Sequence, residues 1–180
     1  MRTIIRKLMI AILALMPATM VLAQASAPAM PEAVSNLNRF NGNWEANLTS
    51  IMGDKSYQVD YNVMIKPVAG GNGSYWEEKA TQTAMGDWHS SDLFGYDRTD
   101  GKLHDFSVDN MGSTHDRIAD WKSPDHLVLT YNGIENGKQV AEVLDFTLQS
   151  DNMIEFIGKS TIDGKSQWSG TGTFHKTEDR

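Results

Sequence analysis

Four ionisable side chains in the middle of the chain could form a polar site if they faced the same side of a sheet. They are Glu78, His89, His104 and Asp116. Two imidazoles and two carboxyl groups can bind zinc or iron, or can act as general bases and acids on a small molecule. They form no tight motif such as His-x-x-x-His, so their spacing leaves these chemistries open.

Other kinds of chemistry have weaker support in the sequence. The chain contains no cysteine, which excludes disulfides, thiolate catalysis, cysteine-bound zinc and attachment of lipid through a cysteine. No Gly-x-Ser-x-Gly motif marks a nucleophilic serine. A haem iron needs a positioned axial ligand, which His175 or His89 could supply. We therefore expect no cofactor, and we keep a haem or metal site as an alternative.

The elements that must position these groups are short strands. From residue 40 onward, turn sequences such as Asp100-Gly101 and Asp163-Gly164 separate about ten runs of roughly six to twelve residues. Several runs alternate between apolar and polar residues, as residues 57–65 do. Short links favour antiparallel neighbours, and closing the sheet removes its edges. The sequence thus predicts an all-β fold, a single antiparallel up-and-down barrel of about ten strands.

Hairpin geometry predicts which side chains share a face. A two-residue turn at Met85-Gly86 would pair Glu78 with Leu93, and the next two hairpins would place His104 opposite Ile118. The face with more large apolar groups, taken as the barrel interior, holds Trp76, Glu78, Ala80, Gln82, His89, Leu93, His104, Phe106, Val108, Asp116 and Ile118. The other face, taken as a solvated exterior, holds Glu77, Lys79, Asp92, Tyr96, Asp105, Asp109, His115 and Arg117.

The predicted ligand contacts follow from this arrangement. An ionisable group that points inward needs a hydrogen-bond partner, a counter-charge or water. The predicted ligand-binding residues are Trp44, Trp76, Glu78, His89, His104, Phe106 and Asp116. The alternative is that the polar members lie at a wet rim of the barrel or satisfy one another.

The first 25 residues are typical of a secretory signal peptide. Arg2, Arg6 and Lys7 precede an apolar run, and Ala23-Gln24-Ala25 fits the A-x-A cleavage pattern. We therefore expect residues 1–25 to be removed near Ala23 or Ala25, which implies a periplasmic or secreted protein. Residues 26–39 would form a lead-in with a short helix, and residues 40–180 would form the barrel domain. The apolar run is shorter than the ~20 residues of a membrane-spanning helix, and no later run is apolar enough to span.

The charge of the chain bears on its partners. The net charge is −7, and loss of the leader with its basic residues would bring it to about −10. An acidic surface repels phosphate backbones and anionic lipid headgroups. Nucleic acid is therefore excluded as a partner, and a small apolar or lipid-like molecule is left as the candidate.

Three segments resemble a known family. They are Phe40-Asn41-Gly42-Asn43-Trp44, then Tyr75-Trp76-Glu77-Glu78 with Gly95-Tyr96-Asp97, and then Val108-Asp109-Asn110-Met111-Gly112. The first resembles the Gly-x-Trp opening of lipocalins and other calycins. The order and spacing of all three resemble a family of secreted bacterial lipocalin-like domains, catalogued as domain of unknown function 1579, over about residues 35 to 178. The resemblance implies a calycin barrel with a possible ligand cavity and no established reaction.

Two features of the calycins can be compared with this chain. Lipocalins place a late arginine against the first-strand tryptophan, whereas the last strand here offers Lys176 before the terminal Arg180. The nitrobindins, a related barrel family, hold haem through a histidine near the C-terminus, and His175 is roughly placed for that role. The leading hypothesis is an exported barrel that binds a small, mostly apolar ligand. The alternatives are a small-molecule enzyme with His89 or His104 as general base, a haem or metal barrel, and an interaction domain without a small ligand.

Overall fold

The computed structural model describes residues 31–178. The predicted signal peptide, residues 1–25, and the start of the lead-in lie outside the described residues. The described part begins with a short helix, α1 (Glu32–Leu37), and a 3₁₀ turn (Asn38–Phe40). No helix within residues 31–178 has the length and apolar character needed to cross a membrane.

Ten antiparallel strands follow and close into one barrel, which confirms the predicted fold class. Each strand pairs with its neighbours in the chain, and the first strand also pairs with the last. The strands are β1 (Gly42–Met52), β2 (Lys55–Val68), β3 (Gly73–Thr83), β4 (Gly86–Asp97), β5 (Lys102–Asp109), β6 (Thr114–Ser123), β7 (His126–Glu135), β8 (Lys138–Ser150), β9 (Met153–Ile162) and β10 (Lys165–Thr177).

The helix closes one end of the barrel. Val34 and Leu37 of α1 and the adjacent Phe40 are fully buried and belong to the hydrophobic core. The indole of Trp44 donates a hydrogen bond to the carbonyl of Phe40 at 2.7 Å. The Nζ of Lys176 lies 5.2 Å from the centroid of the Trp44 ring. In this barrel a lysine therefore makes the cationic contact with the first-strand tryptophan.

The structure confirms two of the three predicted hairpin registers. Leu93 pairs with Phe106 between β4 and β5, and His104 pairs with Ile118 between β5 and β6, both as predicted. The predicted β3–β4 register is wrong, because Glu78 pairs with Ser90 instead of Leu93.

Two local features move the β3–β4 register by three residues in total. The turn lies one residue earlier than predicted, so that Thr83 pairs with Gly86. This alone shifts the register by an even number of residues and keeps every side chain on its face. An irregularity between Ala80 and Thr83 adds one unpaired residue to β3, and Gln82 there has a φ of 62°. An extra residue in one strand exchanges the two faces of the strands beyond it.

In β4, β5 and β6, the face that was predicted to be exterior is therefore the interior face of the barrel. Leu103, Asp105 and Ser107 are buried, whereas Phe106 and Leu93 are each 51% exposed. The ion pair of Asp105 with Arg117, predicted on a solvated surface, lies inside the barrel with both side chains buried.

Candidate functional site

A cavity of about 460 Å³ runs through the barrel, from the end closed by α1 to the open end. Its size is within the usual range for small-molecule sites, roughly 300–1,000 Å³. Phe40 and Trp44 line its floor, and Thr83, Met85 and Ile162 lie near its mouth. The walls between them divide into an aromatic part and a polar part.

The aromatic part is a continuous series of ring contacts. Ring centroids are 4.6 to 6.0 Å apart along the series, in tilted or edge-to-face geometry. The members that line the cavity are Phe40, Tyr61, Trp76, Trp88, Phe146, Phe156 and Phe174, and Phe94 packs against Trp76 without lining it. This surface can pack against the apolar body of a ligand over most of the length of the cavity.

Trp168 extends the apolar lining on the side of β9 and β10. Its Nε1 donates to Ser50 Oγ at 2.9 Å. A Cβ atom on Gly170 would lie 2.7 Å from the Trp168 ring, and one on Gly158 would lie 2.5 Å from it. These two glycines, which pair across the strands, therefore leave the space that the indole occupies.

The polar part is organised around Arg117. Its Nε donates to Glu142 Oε1 at 2.6 Å, and its Nη1 donates to Asp105 Oδ2 at 3.0 Å. Its Nη2 lies 3.3 Å from Nδ1 of His115, and Nε2 of that ring lies 2.9 Å from Glu135 Oε1. The His115 ring also stacks on Tyr131 at 4.2 Å. The guanidinium is thus held on three sides within the barrel wall.

A second group of polar side chains lies on β2, β3, β4 and β5. The Tyr61 hydroxyl donates a short hydrogen bond to Glu78. Ser90 donates to Asp92 Oδ1 at 2.6 Å, and its hydroxyl also lies 3.2 Å from that of Ser107. This group joins the aromatic series through Tyr61, so the polar and apolar parts of the cavity meet there.

Burial raises the pKa of two interior carboxyl groups. It raises the pKa of Asp105 to about 8, and the negative charge of Asp92 adds to this effect. Burial also raises the pKa of Glu78 well above its usual value, again with a contribution from Asp92. Burial likewise raises the pKa of Tyr61, which keeps its hydroxyl a donor to Glu78.

The groups around Arg117 respond differently. Burial alone would lower the pKa of Arg117, but the charges of Glu142 and Asp105 outweigh it and raise that pKa. Burial would raise the pKa of Glu142, yet the neighbouring His115 and the hydrogen bond from Arg117 lower that pKa overall. The Glu142 carboxylate, whose Oε1 lies 3.6 Å from Nδ1 of His115, raises the pKa of His115. Arg117 and Glu142 therefore form an ionised pair inside the barrel.

The predicted ligand-binding residues divide between the two faces of the barrel. Trp44, Trp76 and Glu78 line the cavity. The inward positions predicted for the other four are wrong, because the β3–β4 register turns them outward; they are His89, His104, Phe106 and Asp116. His175 is also exposed, next to the buried Phe174, so it cannot hold haem inside the barrel.

Some of these outward residues do lie close together. His104 Nδ1 is 2.9 Å from Asp116 Oδ1, and its Nε2 is 3.0 Å from Asp100 Oδ2. Among the described residues, a cluster of three potential metal ligands is formed by Asp97, Asp100 and His104. Both aspartates are exposed, and the cluster lies away from the cavity. The predicted set of Glu78, His89, His104 and Asp116 is not brought together.

The most important polar residues in and beside the cavity were predicted to lie on the exterior of the barrel. These are the cavity-lining Asp92, Asp109, His115 and Arg117 and the buried Asp105; Glu135 and Glu142 were not predicted as site residues. The sequence did contain a pattern that favours the inner position of Asp105, because the apolar Leu103 and Phe94 share a face with it. The larger apolar residues on the opposite face outweighed it.

One comparison with a solved structure supports the fold. No protein-family model and no curated protein matches the chain. The structure is similar to that of the S-type phycobiliprotein lyase CPES from Guillardia theta, with a TM-score of 0.53 and 12% identity over 81% of this chain and 93% of that chain. A redesigned beta barrel matches with a TM-score of 0.44 and 14% identity over 83% of this chain and 99% of that chain. The likeness to the lyase shows a lipocalin-like barrel fold, whereas the narrower resemblance to the bacterial family stays a prediction.

Proposed function

We propose that this protein binds a small, mostly apolar molecule inside its barrel. The observation that carries the proposal is the open cavity of about 460 Å³ with its continuous aromatic wall. Apolar pockets that contain a few placed polar groups are the usual form of small-molecule sites. The polar network around Arg117 supplies such groups along one side of the cavity.

A binding role agrees better with the geometry than the catalytic alternative. The two histidines predicted as general bases, His89 and His104, lie on the outer face of the barrel. His115 is the histidine that lines the cavity, and its two ring nitrogens already contact Arg117 and Glu135. A general base must reach the proton that it removes, which these contacts hinder.

Titration with Nile red, a neutral apolar dye, tests the proposal. Ser160 lines the cavity, so Ser160→Phe would place an aromatic ring inside it. We expect the dye to bind the wild-type protein and to bind Ser160→Phe at least about tenfold more weakly. The matched control is Ser91→Phe on the outer face of β4, where Ser91 is exposed. Equal binding by all three proteins would contradict binding inside the barrel.

We also propose that the protein is exported before it acts. The support is the signal-peptide pattern of residues 1–25. N-terminal sequencing of the protein from the exported fraction of its host tests this. We expect the mature chain to start at Gln24 or Ser26. An intact Met1, or a protein confined to the cytoplasm, would contradict export.

A further inference from the structure

The cavity wall carries more acidic than basic side chains. Five carboxyl groups line it within the described part of the chain, against one arginine and one histidine. The acidic members are Glu78, Asp92, Asp109, Glu135 and Glu142. A charge removed from water needs a partner of opposite charge or hydrogen-bond donors. The partners of each carboxyl group therefore show where compensation is missing.

Three of the five carboxyl groups are compensated. Glu142 accepts a hydrogen bond from Arg117, and Glu135 contacts the His115 ring. Asp109 accepts hydrogen bonds from the backbone N–H groups of Met111 and Ser113, both at 2.9 Å. These groups fix the barrel wall and the β5–β6 turn.

Glu78 and Asp92 have only hydroxyl groups as side-chain partners. Tyr61 donates to Glu78, and Ser90 donates to Asp92. Within residues 31–178, neither carboxyl group forms an ion pair with a lysine, arginine or histidine. Burial and the charge of Asp92 raise the pKa of Glu78, and the charge of Arg117, which makes no direct ion pair with Glu78, offsets only part of this effect.

A third buried carboxyl group lies on the same inner surface. Asp105 is fully buried between Leu103 and Ser107 on the inner face of β5. Arg117 donates to its Oδ2, but its Oδ1 has no hydrogen-bond partner among the described residues. Asp105 does not itself line the cavity, so the uncompensated carboxyl groups that a ligand can reach are Glu78 and Asp92.

An anionic group finds no matching partner here. Arg117 is the one arginine or lysine that lines the cavity in the described chain, and Glu142 and Asp105 already bind its guanidinium. A ligand carboxylate would have to displace one of these buried partners and leave it without its cation. Breaking such a buried pair is strongly unfavourable.

Aromatic faces lie beside the uncompensated carboxyl groups. Tyr61 contacts Glu78, and its ring centroid is 5.9 Å from that of Trp88 and 5.6 Å from that of Phe174. Aromatic faces attract cations, most strongly where water is excluded. Carboxyl groups together with aromatic rings suit an ammonium group.

We propose that the ligand of this cavity is an amphipathic cation. Its apolar body lies along the aromatic wall, and its protonated or quaternary amine lies against Glu78 and Asp92 beside Tyr61. The proposal rests on the proposed function and adds the charge of the ligand to it.

Isothermal titration calorimetry with three probes of equal chain length tests the proposal. The probes are decyltrimethylammonium, decanoate and 1-decanol, each used below the concentration at which it aggregates. We expect decyltrimethylammonium to bind the wild-type protein at least about tenfold more tightly than decanoate, with 1-decanol in between. Equal or tighter binding of decanoate would overturn the cationic ligand.

Two neighbouring glutamates on β3 provide a matched pair of variants. Glu78→Gln removes the carboxyl group that an adjacent cation would ionise inside the cavity, and Glu77→Gln removes a carboxylate on the outer side, where Glu77 pairs with Lys79. We expect Glu78→Gln to weaken binding of the cation about tenfold and to leave 1-decanol unchanged. Glu77→Gln should change neither. Asp92→Asn gives a second test if Glu78→Gln does not fold, and unchanged cation binding in a folded variant would overturn the proposal.

The failure of this inference is distinguishable from failure of the proposed function. If Nile red binds inside the barrel but decyltrimethylammonium does not bind, the cationic ligand is overturned and the binding function stands. If none of the three probes and no Nile red binds, both proposals are overturned.

Discussion

Arg117 Nη1 lies 3.0 Å from Asp105 Oδ2 in the barrel interior, where the two side chains are 8% and 0% exposed. Glu142, on β8, contacts the same guanidinium at 2.6 Å. One arginine therefore holds two carboxyl groups in the barrel interior. Charges in such a position are costly to leave unpaired. The arrangement ties β5, β6 and β8 together and gives the cavity its polar side.

Arg117→Met should destabilise the protein strongly. The substitution leaves the Glu142 carboxylate without its cation and the buried Asp105 without its hydrogen-bond donor, which we expect to lower the free energy of unfolding by about 3–5 kcal/mol. Urea unfolding followed by tryptophan fluorescence measures this. Lys159→Met, at an exposed position on β9, is the control and should change stability little. A loss below about 1 kcal/mol in Arg117→Met would contradict the buried network.

Asp105 should make the folded protein less stable as the pH rises. Its pKa is about 8 in the folded state and about 4 in an unfolded chain. Between these values the folded state retains a proton that the unfolded state has lost, so increasing pH favours unfolding. The stabilisation is complete below about pH 4 and disappears as the pH passes about 8, with a slope of up to about 1.4 kcal/mol per pH unit.

Asp105→Asn should therefore flatten the decline of stability between pH 5 and pH 9. The raised pKa of Glu78 acts in the same direction, so part of the decline should remain. Thermal unfolding at a series of pH values measures the slopes. Asp151→Asn, in the exposed β8–β9 turn, is the control. An unchanged slope in Asp105→Asn would show that Asp105 does not titrate in this range.

Gly170→Ala should disturb the apolar wall of the cavity. The new Cβ would lie 2.7 Å from the Trp168 ring, which must then move out of its position against β9 and β10. We expect a loss of about 1–3 kcal/mol in unfolding free energy and a change in tryptophan emission. The control is Gly95→Ala on β4, where a Cβ meets no atom within 4 Å. Equal effects of both substitutions would argue against this packing.

Lys176→Met should weaken the closed end of the barrel slightly. The substitution keeps the apolar stem and removes the ammonium group that lies over the Trp44 ring. A cation–π contact of this kind contributes about 0.5–1 kcal/mol, which is the expected loss of stability. Lys176→Arg keeps the positive charge and should therefore retain most of the wild-type stability. Chemical denaturation measures the free energy of unfolding of both variants. If Lys176→Arg lost stability and Lys176→Met did not, this role of the charge would be contradicted.

Much of the fold could be predicted from the sequence because the turns and strands are locally encoded. Turn residues such as Asp100-Gly101 fixed the β4–β5 register, and Asp97 pairs with Lys102 as predicted. The interior face could not be predicted in the same way. It depends on one unpaired residue near Gln82, whose positive φ no sequence pattern in β3 indicates.

The candidate site was predicted only in part for the same reason. Trp44, Trp76 and Glu78 precede the irregularity in β3, and the structure places them in the cavity as predicted. His89 and His104 follow it and lie outside. The usual preference for large apolar residues inside also misled the assignment, because Leu93 and Phe106 are half exposed whereas Asp105 is fully buried. Polar cavities reverse the hydrophobic pattern on which such assignments depend.

Native mass spectrometry tests the central claim, ligand binding inside the barrel, most directly. The protein would be purified from its own host, as wild type and with Ser160→Phe, which places a ring in the cavity. We predict one small organic molecule per wild-type chain, and its absence or strong depletion in Ser160→Phe. A wild-type chain without any bound molecule, or the same molecule retained in full by Ser160→Phe, would contradict the account.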